Sequence, residues 1–591
     1  MKKFIIVVIL ILAVVLSSSC GPSSDKGEES GLKFSQSNWN AVDEYNLDKV
    51  SQTPTFTLNK GVEESKNGII PFTFFTDGMV LQRNSVNRIF GTSDYDGGVA
   101  VEIGGKLYYG LAENGSFEIY LPPVSNGNDL TMTIYGNNNK VTIRDVCYGE
   151  VILFSGQSNM NWRMSNTISA TWPNQTPGKQ FLSYYGLGGT PYVPTRESDP
   201  QTYYEYTYTK TLADEYVAKA EKEIATDDYI RLMLLDSNYT EEGIAENKTP
   251  RSDYDIDKAW QKADNRESVL DCSMFAYYFA KNLRSLTKVP VGVIVAAIGS
   301  TNTTTWVDRE TYNQNKSAFP DTGESTTSAN SISSCYNTFI SPMIGYKFGS
   351  YVWYQGEGEC AGETYSKAFS AMVNAYRSVS DNPNLKVLVI SLPQYGSGAT
   401  YPAGYSQNNY GIADKELGLE NSTQTYGRAN QQKLSKLIEN CAVSVSVNTG
   451  DFDDIHPSDK CKISYQAVCC YLTDLYGFKD VFLLYPRVDK VDFIGGDVQI
   501  YFKNLGEGLN LRNNGIGFQV SENGTDYQQI KALKVGDSVY LSSASAGIGE
   551  IKYVRYGWLQ FPRISRIDAE KYVSVFNSFG MPLDQFEIEI N

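Results

Sequence analysis

Between residue 70 and about residue 147, apolar and polar positions alternate in short runs broken by Gly, Asn and Pro: Val99-Ala100-Val101-Glu102-Ile103, Ser116-Phe117-Glu118-Ile119-Tyr120 and Leu130-Thr131-Met132-Thr133-Ile134. A period of two sends one face of each run into a core and the other into water, which predicts a small antiparallel β-sandwich over 70–147. The pattern then changes. Val151-Ile152-Leu153-Phe154, Val291-Gly292-Val293-Ile294-Val295, Tyr351-Val352-Trp353-Tyr354, Val387-Leu388-Val389-Ile390 and Val443-Ser444-Val445-Ser446-Val447 read as strands buried on both faces. Helical spacings lie between them, Phe275, Phe279 and Leu283 in one and Tyr365, Phe369, Val373 and Tyr376 in another. Such alternation predicts an α/β domain with a parallel sheet over 148–482. Alternation by twos returns after about Tyr485, as in Val498-Gln499-Ile500-Tyr501-Phe502, and predicts a second β-sandwich over 483–591.

Two stretches break this order. The chain opens with Lys2-Lys3, an unbroken apolar run from Phe4 to Leu16, and Ser17-Ser18-Ser19-Cys20-Gly21. That run is shorter than the ~20 residues a spanning helix needs, but it matches the core of a signal peptide over 1–20. Small residues before Cys20 resemble a bacterial lipoprotein signal, which would lipidate Cys20 and make an exported, membrane-anchored protein of the periplasm or cell surface. Leu16 stands one place earlier than that pattern usually has it, which leaves ordinary signal cleavage open. Residues 21–69 then read as a polar tether. The second break, about 165–223, carries Tyr184, Tyr185, Tyr192, Tyr203, Tyr204, Tyr206, Tyr208 and Tyr216 among Gly, Pro, Thr and Asn. It reads as an insertion in the α/β domain, with stacking on sugar rings as one use for its tyrosines.

Composition removes several function classes. The net charge of −16 and the lack of a Lys/Arg stripe argue against nucleic acid as partner. Beyond Cys20 the cysteines are Cys147, Cys272, Cys335, Cys360, Cys441, Cys461, Cys469 and Cys470, with no CxxC or zinc spacing; export would permit disulfides, and small buried hydrophobes are at least as good a reading as any specific bridge. The 591 residues hold one histidine, His456. Zinc sites of the HExxH type need two and His-rich metal shells need more, which closes off both, and nucleophilic chemistry by a serine with this one imidazole implies neither a metal nor an organic cofactor.

A serine becomes a nucleophile when a base takes its proton, a carboxylate orients that base and fixed donors receive the oxyanion. Ser158 stands in Gly156-Gln157-Ser158-Asn159-Met160, just past the first predicted parallel strand. His456 stands in Asp453-Asp454-Ile455-His456-Pro457, after the last one and before a helix expected from about Ser458 to Tyr476. Both positions are carboxyl ends of strands, where α/β sheets place their sites. Met160 replaces the last glycine of GxSxG, so the nucleophile elbow of α/β-hydrolases is not supported.

Gly156-Gln157-Ser158-Asn159-Met160, Trp353-Tyr354-Gln355-Gly356-Glu357 and Asp454-Ile455-His456-Pro457 with Lys460 resemble the three signature blocks of the sialate O-acetylesterases, within the SGNH-hydrolase superfamily. Asp77-Gly78-Met79-Val80-Leu81-Gln82-Arg83, Pro290-Val291-Gly292-Val293-Ile294, Val554-Arg555-Tyr556-Gly557-Trp558 and Asn577 with Gly580-Met581-Pro582-Leu583 extend the resemblance along the chain. It implies a three-layer SGNH domain flanked by the two sandwiches. It also implies Ser158 as nucleophile, His456 as general base and then acid, and Asp453 as orienting carboxylate, with Asp454 as its rival. Oxyanion donors would be the backbone N–H of Ser158, a backbone N–H at Gly299-Ser300-Thr301, and the Gln355 amide. Asn159, Glu357, Glu359 and Lys460 stand as substrate or supporting groups, and Trp306 and Trp353 read as core. The substrate implied is an O-acetylated glycan or sugar, with membrane contact only through the lipid anchor and no oligomeric state indicated.

Two departures from the family pattern matter. Ser300 stands where Gly is common, which leaves a backbone donor intact where φ is negative. Gly358-Glu359 stands where Ser-Asn is common and brings a carboxylate toward the expected oxyanion. Two rival readings stay open beside the esterase, whose sugar is equally open to sialic acid, xylan or another plant glycan. Glu357 and Glu359 would be the carboxylate pair of a glycosidase, and the sandwiches and Tyr-rich stretch would serve a non-catalytic glycan-binding protein.

Overall fold

The computed structural model describes residues 32–65, 67–168, 218, 222, 224–256, 260–379, 382–395, 423–450, 455–457, 460–558 and 573–590. Its spine is one long strand, β1 (Lys140–Gly156), of 17 residues. From Val146 to Gly156 every residue is buried, because the strand lies under other elements on both faces. Its first half pairs antiparallel with Gly127–Tyr135 and parallel with Val80–Gln82. From Glu150 onward it runs between two parallel neighbours. The expected boundary at 147/148 therefore falls inside a strand, with no linker. Seven short strands between residues 69 and 135 share a single 14-stranded sheet with the α/β strands.

The remaining strands of the α/β part are β2 (Asp227–Leu234), β3 (Gln261–Ala263), β4 (Val291–Ala297), β5 (Ser350–Tyr354), β6 (Lys386–Val389) and β7 (Cys441–Val443). They stand in the order β3-β2-β4-β1-β5-β6-β7, parallel throughout except for the β2–β3 pair. The last strand is displaced from its expected span: Val445 and Val447 are buried but lie past its end. β2 was not among the expected strands, because Arg231 interrupts its apolar run. That guanidinium is fully buried and is neutralised by Asp145 of β1 at 2.9 Å, with a further bond to the Gly78 carbonyl at 3.2 Å.

Five helices bear on the site: α1 (Ser158–Asn161), α2 (Met274–Thr287), α3 (Tyr365–Val379), α4 (Thr423–Leu437) and α5 (Lys460–Cys470). Ser273 caps α2 by accepting the Ala276 N–H at 3.2 Å. Successive residues of a strand face opposite ways, and β5 shows what covers each face. The Trp353 ring meets Phe369 of α3 at 5.8 Å, whereas the Tyr354 ring meets Phe275 of α2 at 5.5 Å. Trp306 and Trp353 are fully buried. The seven free thiols, Cys147, Cys272, Cys335, Cys360, Cys441, Cys469 and Cys470, are buried except for the half-buried Cys441. Past residue 486 the chain forms two four-stranded antiparallel sheets and a two-stranded one. Arg428 of α4, buried, ties this part to the α/β part through Gln585 at 2.8 Å.

The residues from 32 on are not a free tether. Trp39 is 2% exposed, its ring 4.7 Å from that of Tyr476 and 5.3 Å from the Arg83 guanidinium. Asn38 N–H donates to the Tyr476 carbonyl at 2.8 Å, and the Ser51 carbonyl accepts from Tyr109. The buried anchors Leu32, Trp39 and Val62 are single and irregularly spaced, so no periodic signal marks them. Residues 1–31, Cys20 among them, and nearly all of the Tyr-rich stretch lie outside the described residues.

Trp39→Ala is expected to cost about 3–5 kcal/mol of unfolding free energy in urea titration, as for other fully buried aromatic truncations. A loss below about 1 kcal/mol would mean that the leading segment contributes no docking energy.

Candidate functional site

β1 ends at Gly156, whose φ of +140° excludes a side chain, since a Cβ there would lie 2.1 Å from the Tyr354 carbonyl oxygen. This close approach turns the chain out of the sheet between β4 and β5, the crevice where an open parallel sheet receives ligands. Gln157 N–H donates to that carbonyl at 3.1 Å, and Ser158, half-buried, opens α1. Asn161 anchors the other end of the turn, donating to the Ala297 carbonyl at 2.8 Å and to Asp236 at 2.6 Å.

The loop after β4 lies against the serine. A Cβ added to Gly299 would stand 3.7 Å from the Ser158 Cβ. The next residue, Ser300, has φ +59° and is exposed, so the expected negative φ is not found there. A left-handed conformation costs a non-glycine residue roughly 1–2 kcal/mol, and here the strain sits beside the serine.

Past β5, Gln355 is fully buried and donates to the Thr301 carbonyl at 3.2 Å and to Glu359 at 2.9 Å. Glu359 also accepts the Thr303 N–H at 2.9 Å and the Thr303 hydroxyl. Both amide hydrogens of Gln355 are thereby taken, and neither is left for an oxyanion as expected. Glu357, 9% exposed, accepts from the Asn159 amide through Oε1, while its Oε2 is buried without a hydrogen-bond donor.

Asn159 then reaches the far end of the chain. Its Nδ2 also donates to the Ile455 carbonyl at 2.9 Å, and its Oδ1 accepts from Lys460. Lys460 is fully buried, its ammonium 5.3 Å from the centre of the Tyr354 ring. The His456 ring stacks on Trp162 at 5.0 Å and 17°. Nearest neighbours of Ser158 and His456 in the chain are thus directly bonded, and the two loops form one surface. Asp453 and Asp454 lie outside the described residues. Among the described residues no cluster of three or more His, Cys, Asp or Glu side chains could hold a metal ion.

A family model described as carbohydrate esterase, sialic acid-specific acetylesterase matches residues 254–418. Sialate O-acetylesterases of Pongo abelii and Homo sapiens are each 20% identical over 493 residues, covering 79% of this chain and 78% of theirs. The crystal structure of a carbohydrate acetylesterase from Xanthomonas citri superposes with a TM-score of 0.63 at 21% identity, over 88% of this chain and 99% of that one. The chain is similar to the sialate O-acetylesterases. The stretch matched by the acetylesterase model takes in Gly299, Ser300, Gln355, Glu357 and Glu359 and contains neither Ser158 nor His456.

Reading by blocks passed over Asp236, Asn161 and Trp162. Asp236 follows β2, the strand hidden by Arg231, and burial pushes its carboxyl up to about 6 despite the nearby Arg163 charge. A polar Asp-Ser-Asn step directly after an apolar run was its one signal in the sequence.

Burial likewise raises the Glu357 carboxyl above the ordinary 4.5, outweighing the Asn159 bond and the charges of His456 and Lys460. A carboxyl that holds its proton more tightly folded than unfolded destabilises the fold as pH rises from the unfolded pKa through the folded one, and has no such effect below both. Glu357→Gln, neutral at every pH, is therefore expected to be more stable than wild type at pH 7, the gain vanishing by about pH 4. Paired urea melts at the two pH values check this, and a gain equal at both would contradict it.

Proposed function

We propose that this chain is a sialate O-acetylesterase-like carbohydrate esterase that removes O-acetyl groups from a sugar through a serine nucleophile. The observation that carries the reading is the 2.9 Å bond from Asn159 to the Ile455 carbonyl, which joins the serine turn to the loop of the only imidazole. In the reaction, Ser158 Oγ attacks the acetyl carbonyl while His456 takes its proton. The oxyanion faces the backbone N–H groups of Ser158 and the Gly299-Ser300 loop. His456 returns the proton to the departing sugar hydroxyl, leaving an acetyl-serine. A water deprotonated by His456 then attacks the acetyl-serine, releasing acetate and restoring Ser158.

Asp453 orients the imidazole in this scheme, with Asp454 as the rival carboxylate. Helices on both faces of the parallel sheet, and antiparallel sheets at either end, support the finer reading of an SGNH domain between two β-sandwiches. The signal-like N-terminus with Cys20 supports export and lipid anchoring. The sugar is set by the rim of the crevice, where acetylated sialic acid and acetylated xylan are the first candidates.

Ser158→Ala is expected to bring p-nitrophenyl acetate hydrolysis down to the uncatalysed rate with unchanged melting. An undiminished rate in that variant removes the serine from the chemistry. Acetate release from acetylated sialic acid and acetylated xylan, measured side by side, identifies the sugar.

A further inference from the structure

The amide group of Gln355 is oriented by its two acceptors. Turned over, its oxygen would face both the Thr301 carbonyl and the Glu359 carboxylate, so the nitrogen must point their way. Its own oxygen, Oε1, is buried without a donor, which leaves the two N–H bonds as the only anchors of the group. The bond to a carboxylate is charge-assisted and stronger than one to a neutral ester carbonyl, so a bound substrate does not compete for it. Exposure points the same way. Gln355 is wholly buried, whereas Ser158, Gly299 and Glu359 are half-buried and Ser300 is exposed. A donor that receives the oxyanion must meet a substrate arriving from water, and Gln355 does not meet it while Glu359 holds the amide. Glu359 is fixed in turn by the N–H and hydroxyl of Thr303.

Resting on the esterase reading above, we propose that Glu359 is a positioning residue that holds the Gln355 amide away from the ester. The oxyanion is then left to backbone N–H groups of Ser158 and the Gly299-Ser300 loop. The carboxylate that this chain carries at 359 thereby sets its catalytic power below what the same crevice can reach.

The test is the steady-state hydrolysis of p-nitrophenyl acetate by the full-length protein, with Ser158→Ala as the reference for serine-dependent rate. Glu359→Ala frees one Gln355 N–H and removes a negative charge from beside the oxyanion. Such a donor in full alignment is worth 10²–10³ in kcat, and partial alignment is expected to give a rise of about tenfold with KM little changed. The double variant Glu359→Ala/Gln355→Met is expected to lose that rise, which a merely structural role for Glu359 would not produce. A kcat that stays level or falls in a Glu359→Ala protein of unchanged Tm overturns the proposal, as does a rise that survives in the double variant. Should Glu359→Ala melt early because Thr303 has lost its acceptor, Glu359→Asn, one methylene too short to keep the acceptor that Gln355 and Thr303 share, is judged by the same two comparisons at a temperature where circular dichroism shows it folded. Equal rates in wild type and Ser158→Ala sink the esterase reading and this role together. A serine-dependent rate with the wrong Glu359 outcome sinks the role alone.

Discussion

The side chain of Asn159 has three hydrogen-bond partners in two distant segments: Glu357, 198 residues on, and Ile455 and Lys460, 296 and 301 residues on. Asn159 is fully buried, as is Lys460, and Glu357 nearly so. In such surroundings an unpaired amide, ammonium or carboxylate is costly, so the three groups hold one another in place. Lys460 also opens α5, where the helix dipole disfavours a cation. The Asn159 oxygen and the Tyr354 ring meet that charge from the side of the serine turn. The serine turn and the histidine loop are therefore brought together by buried polar satisfaction as well as by the packing of the sheet.

That arrangement depends in turn on the direction of β1. The strand that delivers Ser158 has β4 and β5 on either side, and the loops of both, carrying Gly299 and Gln355, open toward the same end of the sheet. Gly156 permits the exit, because no side chain fits against the Tyr354 carbonyl. The first half of the same strand belongs to the antiparallel N-terminal part of the sheet, so the end that carries Ser158 is braced from behind. The leading segment packs Trp39 against Tyr476, just past α5, and extends the brace to the element that begins with Lys460.

Within this frame two adjoining points depart from the pattern that the sequence resemblance implies. Ser300 holds a left-handed backbone that glycine would adopt without strain, and Glu359 occupies the Gln355 amide. Both lie in the loops that follow β4 and β5, at the same end of the sheet as Ser158. Strained or unusually paired groups that persist beside a site are maintained by the structure around them, and their cost is set against function.

Much of this was legible in the order of residues. Runs such as Val291 to Val295 announce a doubly covered parallel strand by their apolar continuity, and the 99–103 run announces a half-solvated one by its alternation, because each periodicity follows from the local geometry of the strand. Ser158 and His456 stood out as candidates because the chemistry admits few residue types and the chain holds one imidazole. Arg231 hid β2, since the partner that makes a buried guanidinium tolerable, Asp145, lies 86 residues away. Trp39 looked like part of a loose tether because its neighbours in space are Tyr476 and Arg83. Gln355 was placed among the oxyanion donors by its motif, yet where its two hydrogens point depends on Thr301 and Glu359 in a folded crevice. Period, composition and residue type are properties of the chain itself and determined most of the elements and the candidates for reacting groups. Which of those groups face the substrate, and which are spent on one another, was decided only by tertiary structure, because hydrogen bonding and burial are fixed by neighbours that are remote in sequence.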